Sequence, residues 1–479
     1  MSLKEEDAPL PSRILKDGVG DEPPKQPPPR EVSLFSGELK GERRGFLKSF
    51  LQGLALTNLF MWCALPIYWG AYFRQEENLY RLTVGVIDMD SPAATAAGRT
   101  PVLGPALLAG PSQLKDHHIE FVVLDNVPYD ISSAIGGQPR GLDVHQYAMS
   151  AVQNEDYFGV IVANANATIT AVSAYESLAN GTQSVMYDGS GALTMYYSEG
   201  RNFETVDQWV APGMTSFLSQ HVCSAAASTL SAQLLPRLGA LSAEQYSAID
   251  KVALGSVLAM PFSYTEYNLR PVDEFAAIPA TSVGMIYLLI FTYFISIFWS
   301  RARAAIENKL RLGELVILRI AVPVAFYLLI SLWISLVTLA FHVDFTRFWG
   351  KGGFPIFWAS NFVCQIAVGM PMEIALAFLG PRYTAFFLII WVILNVSVAF
   401  IDVADQDHFY SYGFIAPIFQ AVQVGKAVIF GVKQRFGQYF GINIAWAVIG
   451  CGALALTTAF KRKSAIKQKM LRKGGEKQA

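Results

Sequence analysis

Charge and cysteine are both scarce in this chain of 479 residues. Asp, Glu, Lys and Arg make up 16% of it, while apolar residues reach 52% and aromatic residues 13%, more than a soluble globular chain usually carries. The four cysteines are scattered, and Cys223 is the only one outside the long apolar runs. A disulfide framework is therefore excluded, and we interpret the cysteines as small buried hydrophobic residues.

Catalytic motifs are missing as well. The sequence has no G-x-x-x-x-G-K-[ST] phosphate loop, no H-E-x-x-H, no C-x-x-C and no G-x-S-x-G. We expect neither an enzyme nor a bound cofactor, and no nucleic-acid partner. The nearest candidate for a metal site is Asp402, Asp405, Asp407 and His408, but their spacing matches no closed ligand set, so a solvated acidic loop is the preferred interpretation.

Long apolar runs dominate what remains, and runs of about 20 residues are long enough to cross a bilayer as helices. One run stands alone at 49–72, and the others follow residue 280. The sequence predicts an α-helical integral membrane protein with about six spans, one plus five, carrying an inserted extracytoplasmic α/β domain. The predicted spans are 49–72, 281–299, 315–341, 354–379, 384–401 and 440–460.

Basic clusters orient these spans, because Lys and Arg flanking a span favour the cytoplasmic side. Lys40, Arg43, Arg44 and Lys48 precede the first span, and a dense cluster follows residue 460. Both termini are therefore predicted to be cytoplasmic. The predicted divisions are a disordered Pro-rich leader (1–48), the first span (49–72), the α/β domain (73–279), a five-span membrane domain (280–460) and a basic tail (461–479).

The stretch 414–432 is apolar but is interrupted by polar residues near its middle. Gln423 and Lys426 would lie at mid-membrane in a seventh span, at a high cost in free energy, and the basic tail would then lie on the wrong side. A re-entrant or interfacial pair of short helices before the last span is the better prediction.

Residues 73–279 have the alternation of an α/β domain. Short β-branched runs at 82–90, 119–125 and 158–163 and the run ALTMYYSEG predict strands, with helices between and after them. Asn166 and Asn180 begin N-x-Thr sequons on the predicted outer side, so they are predicted N-glycosylation acceptors; unused sequons are nearly as well supported.

Glu373 stands out because a carboxylate inside a span costs roughly 2.5 kcal/mol or more if it faces lipid. We expect it to face the bundle interior and to find a partner or water there. Pro371, two residues earlier, frees a backbone carbonyl. The pair is either part of a transport path or gate, together with Lys426 and Gln423, or a packing feature.

The block VGMPMEIALAFLGPRY, the block FYSYGFIAPIFQAVQVGKAVIFGVKQ and the segment NLRPVDEFA resemble fungal nitrosoguanidine-resistance (Sng-type) membrane proteins. More distantly, the arrangement is similar to phage-infection proteins and permease subunits of ABC exporters. Ser411 and Gln434 depart from the usual Arg and Asn of the family. Besides Glu373, the matching positions are Arg270, Pro271, Arg382, Tyr410, Tyr412, Gly413, Pro417, Phe430, Gly431 and Lys433.

The resemblance implies a plasma-membrane, permease-like protein that confers resistance to toxic small molecules and influences lipid distribution. Its implied partners are the bilayer, small amphipathic molecules or lipids, and either a separate ATPase subunit or further copies of the chain. The alternative is a non-transporting organiser or receptor whose outer domain binds a partner or lipid.

Overall fold

A computed structural model describes residues 40–73, 75–114, 118–125, 143–180, 187–307 and 309–475. Residues Phe60–Ala479 group as one compact unit. Part of the predicted leader, residues 1–39, lies outside the described residues.

Along the chain, a five-stranded sheet follows the first helix and precedes the helical bundle. Its order is β2-β1-β3-β4-β5, with β3 and β4 antiparallel and every other neighbouring pair parallel. The predicted strands are present, whereas β5 was missed because its polar sequence YTEYN lacks an apolar pattern. The strands are β1 (Thr83–Asp88), β2 (Glu120–Val123), β3 (Gly159–Ala163), β4 (Leu193–Tyr197) and β5 (Tyr264–Asn268).

Helices cover both faces of this sheet, as the buried, continuously apolar β3 and β4 require. Ile161 and Met195 face the larger core, and Val160 and Tyr196 face a smaller one on the opposite side. The helices of this region are α2 (Asp90–Ala96), α3 (Leu103–Ala109), α4 (Val144–Gln153), α5 (Ala167–Ala179), α6 (Phe203–Thr205), α7 (Ala211–Ser216), α8 (Ser224–Gly239), α9 (Ala243–Ala248) and α10 (Lys251–Ala259).

The remaining helices are long and apolar. A helix, α1, precedes the sheet, and α14 lies at the centre of the bundle, where it contacts α11, α12, α16 and α17. These helices are α1 (Lys40–Tyr72), α11 (Ile286–Arg303), α12 (Leu312–Ala340), α13 (Thr346–Trp349), α14 (Gly353–Leu379), α15 (Thr384–Ala399), α16 (Pro417–Ile429) and α17 (Phe436–Gly475).

Within the described residues, four helices are long and apolar enough to cross a membrane, or five if one bent pair counts as a span. The four segments are Val283–Arg303, Leu312–Ala340, Thr346–Leu379 and Phe436–Gln468. The predicted span 384–401 corresponds to α15, whose 16 residues give about 24 Å, shorter than the usual hydrocarbon core of about 30 Å. The total of six spans stays a prediction.

The bent pair joins a 3₁₀ segment, His408–Ile415, to α16 at an angle of 71°. The break lies at Ala416, near the start of 414–432, and the re-entrant or interfacial placement of the pair stays a prediction. Pro417 occupies the first turn of α16, where its missing N–H costs no hydrogen bond, and Gln423 and Lys426 lie within one continuous helix.

Two smaller expectations also need correction. Residues 40–48 are helical rather than part of a disordered leader, because α1 begins at Lys40. Cys63 is exposed on α1 rather than buried, whereas Cys364 is buried. The helix α17 continues past residue 460 to Gly475, and the division between membrane domain and basic tail at 460 stays a prediction.

Candidate functional site

Polar side chains lie along one buried stripe of the central helix. Asn361, Gln365 and Glu373 on α14 are spaced by multiples of four residues, with Gly369 completing the series. All four are buried, and Asn361, Gln365 and Glu373 are fully so. Residues four apart share a helix face, so the stripe runs about 18 Å along the axis, at about 1.5 Å per residue.

A matching stripe faces it on α12. The buried residues of that helix include Arg319, Pro323, Tyr327, Ser331 and Ser335, again four apart. This series extends about 24 Å along the helix, most of the thickness of a hydrocarbon core of about 30 Å. Outward-facing positions of the same helix are apolar, so the polar residues avoid lipid.

Direct contacts join the two stripes. The Asn361 amide donates to Ser335 Oγ at 2.9 Å. Tyr327 packs its hydroxyl against Gly369 so closely that a Cβ at Gly369 would lie 2.4 Å from that oxygen. Small and polar residues therefore let α12 and α14 approach, as in many membrane helix pairs. We call these two stripes, together with Thr292, Ser296 and Arg303 of α11, the polar seam.

Charged residues close the seam at the end remote from the sheet. Arg303 Nη1 lies 3.0 Å from Glu373 Oε2, and its Nε lies 3.6 Å from Glu307 Oε2. Arg319 Nη1 donates to Thr458 Oγ1 at 3.1 Å. The Glu373 side chain is 0% exposed and that of Arg303 is 3% exposed. Removing one partner of such a pair costs about 3–5 kcal/mol, because the other charge stays buried without compensation.

Several buried atoms of the seam have no hydrogen-bond partner among the described residues. They include both amide atoms of Gln365, Asn361 Oδ1 and Glu373 Oε1. A buried polar atom without a hydrogen bond costs about 1–3 kcal/mol. A polar group that enters the seam and bonds to these atoms would remove that cost. Their alignment along α14 gives the bundle an interior lined with donors and acceptors.

Sequence reasoning identified Glu373 but missed its partner Arg303. It also missed the stripe on α12, because the mean hydropathy of that segment is high and hides isolated polar residues. The recurrence of Tyr327, Ser331 and Ser335 at intervals of four was the available signal.

At the opposite end of the bundle, α16 meets the sheet region. Lys426 is buried and its Nζ donates to the Arg201 carbonyl at 2.9 Å. Arg270 Nε donates to the Gly431 carbonyl at 3.2 Å, and burial lowers the pKa of Arg270. Lys426 lies at the sheet end of the bundle and Glu373 at the remote end, so the structure does not bring these two predicted path residues together.

The other motif positions are dispersed. Tyr410 donates its hydroxyl to the Ile67 carbonyl at 2.7 Å, and the Pro417 carbonyl accepts from Asn443 at 3.2 Å. Arg382 is exposed at the remote end, over the ring of Tyr383. The remaining positions lie near the sheet end of the bundle: Pro271, Tyr412, Gly413, Phe430 and Lys433, of which Tyr412 and Phe430 pack within hydrophobic clusters.

The acidic loop after α15 is only partly the solvated loop that was expected, because Asp407 and His408 are exposed whereas Asp405 is not. Asp405 is fully buried and accepts a hydrogen bond from Gln75 Nε2, and Asp402 lies 3.7 Å from Arg201. The loop folds under the segment that follows α1, which removes Asp405 from water. Burial raises the pKa of Asp405 to about 7. Among the described residues, no group of acidic, His or Cys side chains has the arrangement of a metal site.

Of the two predicted glycosylation acceptors, Asn166 is exposed at the start of α5 with a left-handed backbone. The Thr168 hydroxyl of the same sequon is buried and donates to Asp90 at 2.5 Å. Asn180 is exposed, while Thr182 lies outside the described residues.

Residues 54–452 match the model of a family described as a protein of unknown function, DUF3533. The chain belongs to this family. It is also 24% identical to the uncharacterized endoplasmic reticulum membrane protein YJR015W of Saccharomyces cerevisiae over 450 residues, covering 93% of this chain and 86% of the relative. No solved structure matches the chain.

The matched region includes the whole polar seam, whereas Thr458, which accepts a hydrogen bond from Arg319, lies beyond residue 452. Spanning helices and a relative described as a membrane protein together make this an integral membrane protein.

Proposed function

We propose that this protein is a permease-like membrane protein that moves amphipathic molecules or lipids between the leaflets and thereby confers resistance to toxic small molecules. The polar seam is the observation that carries the proposal. The polar headgroup of a lipid needs hydrogen-bonding partners while it crosses the apolar interior of a bilayer. The aligned polar atoms of Asn361, Gln365 and Glu373 supply such partners over about 18 Å.

In this mechanism the polar seam is an interface between helices that opens and closes. In the closed arrangement, Arg303 and Glu373 neutralise each other and hold α11 against α14 at the remote end. Separation of α12 from α14 would expose the seam to a headgroup while the acyl chains stay in lipid. Reclosure onto the same contacts returns the bundle to its packed arrangement, as in transporters that switch between discrete states.

The proposal includes a topology with about six spans, both termini in the cytoplasm and the sheet region as an inserted extracytoplasmic domain. It also includes relation to Sng-type proteins and, more distantly, to ABC-type permeases. The plasma membrane is the proposed location, and the endoplasmic reticulum is the alternative suggested by the name of the yeast relative. Because the sequence has no phosphate loop, a separate ATPase subunit or a gradient must drive any pumping.

A non-transporting organiser is the second candidate. The contacts of Lys426 with Arg201 and of Arg270 with Gly431 tie α16 and the segment after it to the sheet region. Contacts of this kind hold the sheet region fixed against the bundle, which is what an outer domain that only binds a partner requires. In that case the buried pair serves packing alone.

A sensitivity screen distinguishes the two candidates. Cells lacking the protein are compared with cells expressing wild type, Glu373→Gln, or Arg303→Gln combined with Glu373→Gln, across a panel of toxic amphipathic compounds. The double variant removes both charges of the buried Arg303–Glu373 pair, so neither is left without its partner, which guards against simple misfolding. A permease predicts that both variants are as sensitive as the deletion at wild-type protein levels.

Glu314→Gln is the matched control. Glu314 is exposed in the first turn of α12, where it caps the Arg311 N–H, and glutamine performs the same capping. This variant should match wild type. If the double variant also protects cells as well as wild type, the seam has no role in transport and the organiser is favoured.

A further inference from the structure

A polar cavity of about 350 Å³ lies between the sheet region and the bundle, within the usual range of small-molecule sites, about 300–1,000 Å³. We call it the junction cavity. Its walls come from α16, the start of α17, the segment His408–Ile415 and loops of the sheet region. Its charged lining residues are Arg81, Glu155, Arg201, Asp402, Lys433 and Arg435.

Basic side chains outnumber acidic ones in this lining, four against two. Two of the four are already engaged. Arg201 donates to the carbonyls of Glu155 and Tyr157, both at 3.3 Å, and lies 3.7 Å from Asp402. Arg81 donates to the Gln406 carbonyl.

Lys433 and Arg435 are the remaining cations. In the described parts of the chain, neither side chain has a hydrogen bond or an ion pair. Burial lowers the pKa of Lys433 and the neighbouring Arg435 lowers it further, whereas the carboxylates of Glu155 and Asp156 raise it. Two like charges held at one cavity wall repel each other, and a bound anion would relieve that repulsion. The cavity is therefore prepared for a negatively charged group.

Apolar residues continue directly from the cavity. Phe414 lines it and is 53% exposed, and the adjacent Ile415 is 58% exposed. Trp446 donates its indole N–H to the Ile415 carbonyl at 2.8 Å, and tryptophan is a residue enriched where a membrane meets water. The cavity also lies beside the first turn of α17, which belongs to the segment Phe436–Gln468 that is long and apolar enough to cross a membrane.

We propose that the junction cavity binds the phosphate group of a phospholipid, with Lys433 and Arg435 contacting the phosphate and the acyl chains lying against Phe414 and Ile415. This inference rests on the proposed function and names its substrate class. The cavity would hold a headgroup at the sheet end of the bundle, before or after passage along the polar seam.

Binding to the purified full-length protein in detergent tests this directly. Dihexanoylphosphatidylcholine is titrated while tryptophan fluorescence is followed, and dihexanoylglycerol and inorganic phosphate are titrated separately. We expect the phospholipid to bind at least tenfold more tightly than dihexanoylglycerol, which has the same tails without the phosphate, and more tightly than inorganic phosphate, which lacks tails.

Variants then assign the site. Lys433→Gln and Arg435→Gln should each weaken phospholipid binding about fivefold, and the double variant about 25-fold, because a basic residue near a lipid phosphate contributes about 1 kcal/mol. Lys433→Arg should retain binding, which separates charge from packing. Lys351→Gln, at an exposed lysine outside the cavity lining, should bind as wild type does.

Equal affinity of the double variant and wild type would overturn the site, and equal affinity for dihexanoylglycerol would overturn the role of phosphate. Inorganic phosphate binding as tightly as the phospholipid would identify a free-anion site and refute the lipid assignment. If Glu373→Gln loses resistance but the wild-type protein binds no phospholipid, the proposed function stands and this inference is refuted.

Discussion

Asp405 gives the sharpest prediction of stability. Its carboxyl is fully buried, and Oδ1 has no hydrogen-bond partner among the described residues, so ionisation in the folded state is costly. Its pKa is raised from 3.8 to about 7, chiefly by burial, with a further contribution from the charge of Asp402. The folded protein therefore holds a proton that the unfolded chain releases between these two pH values.

The sign of the effect follows from this difference in proton binding. The raised pKa makes folding more favourable at acidic pH, and the advantage is lost as pH rises through about 7. At about 1.36 kcal/mol per pKa unit, Asp405 should lower the free energy of unfolding by roughly 3 kcal/mol between pH 5 and pH 8.

Asp405→Asn tests this pH dependence, because asparagine keeps an acceptor for Gln75 and carries no charge. Thermal unfolding of purified wild type and variant is compared at pH 5, 6, 7 and 8. The variant should gain on wild type steadily as pH rises, with the difference levelling off above about pH 7.

Asp407→Asn is the matched control, since Asp407 is exposed and caps the Phe409 N–H, which asparagine also does. It should show no gain with pH. A constant difference between Asp405→Asn and wild type across this range would refute the argument that Asp405 is buried and protonated.

Three further predictions follow from the contacts. Gly369→Ala should destabilise the protein by about 1–3 kcal/mol in thermal unfolding, because the added Cβ would collide with Tyr327. Gly452→Ala on α17 is the control: its added Cβ meets no atom within 4 Å, so its stability should equal that of wild type. A cysteine at Gln423 should react more slowly with an external impermeant thiol reagent than one at Lys433; labelling from the cytoplasm alone would contradict the proposed topology. Asn166→Gln should remove one glycan and increase gel mobility if the sheet region is extracytoplasmic, and unchanged mobility in glycosylating cells would count against use of that sequon.

Much of the secondary structure could be predicted from the sequence. The β-branched runs ending at Asp88 and Ala163 form strands because they are buried on both faces, and the long apolar runs form the helices of the bundle. The strand Tyr264–Asn268 could not be found, because an edge strand with exposed polar residues has no apolar pattern. Strand order depends on packing between distant segments, which periodicity does not report.

The candidate site was predictable only in part. Glu373 was found because a carboxylate within an apolar run is conspicuous, but its pairing with Arg303 depends on how α11 packs against α14. Asp405 was taken as exposed because the spacing of the acidic residues matches no closed ligand set, whereas contact with Gln75, 330 residues away, buries it. Long-range contacts decided both outcomes, and local sequence does not contain them.

Transbilayer movement of a fluorescent phospholipid in intact cells tests the central claim most directly, because any partner or gradient is retained. The claim predicts that deletion, Glu373→Gln and the Arg303→Gln and Glu373→Gln double variant all slow this movement equally, while Glu314→Gln leaves it at the wild-type rate. A double variant that is present at wild-type levels and moves the lipid at the wild-type rate would contradict it.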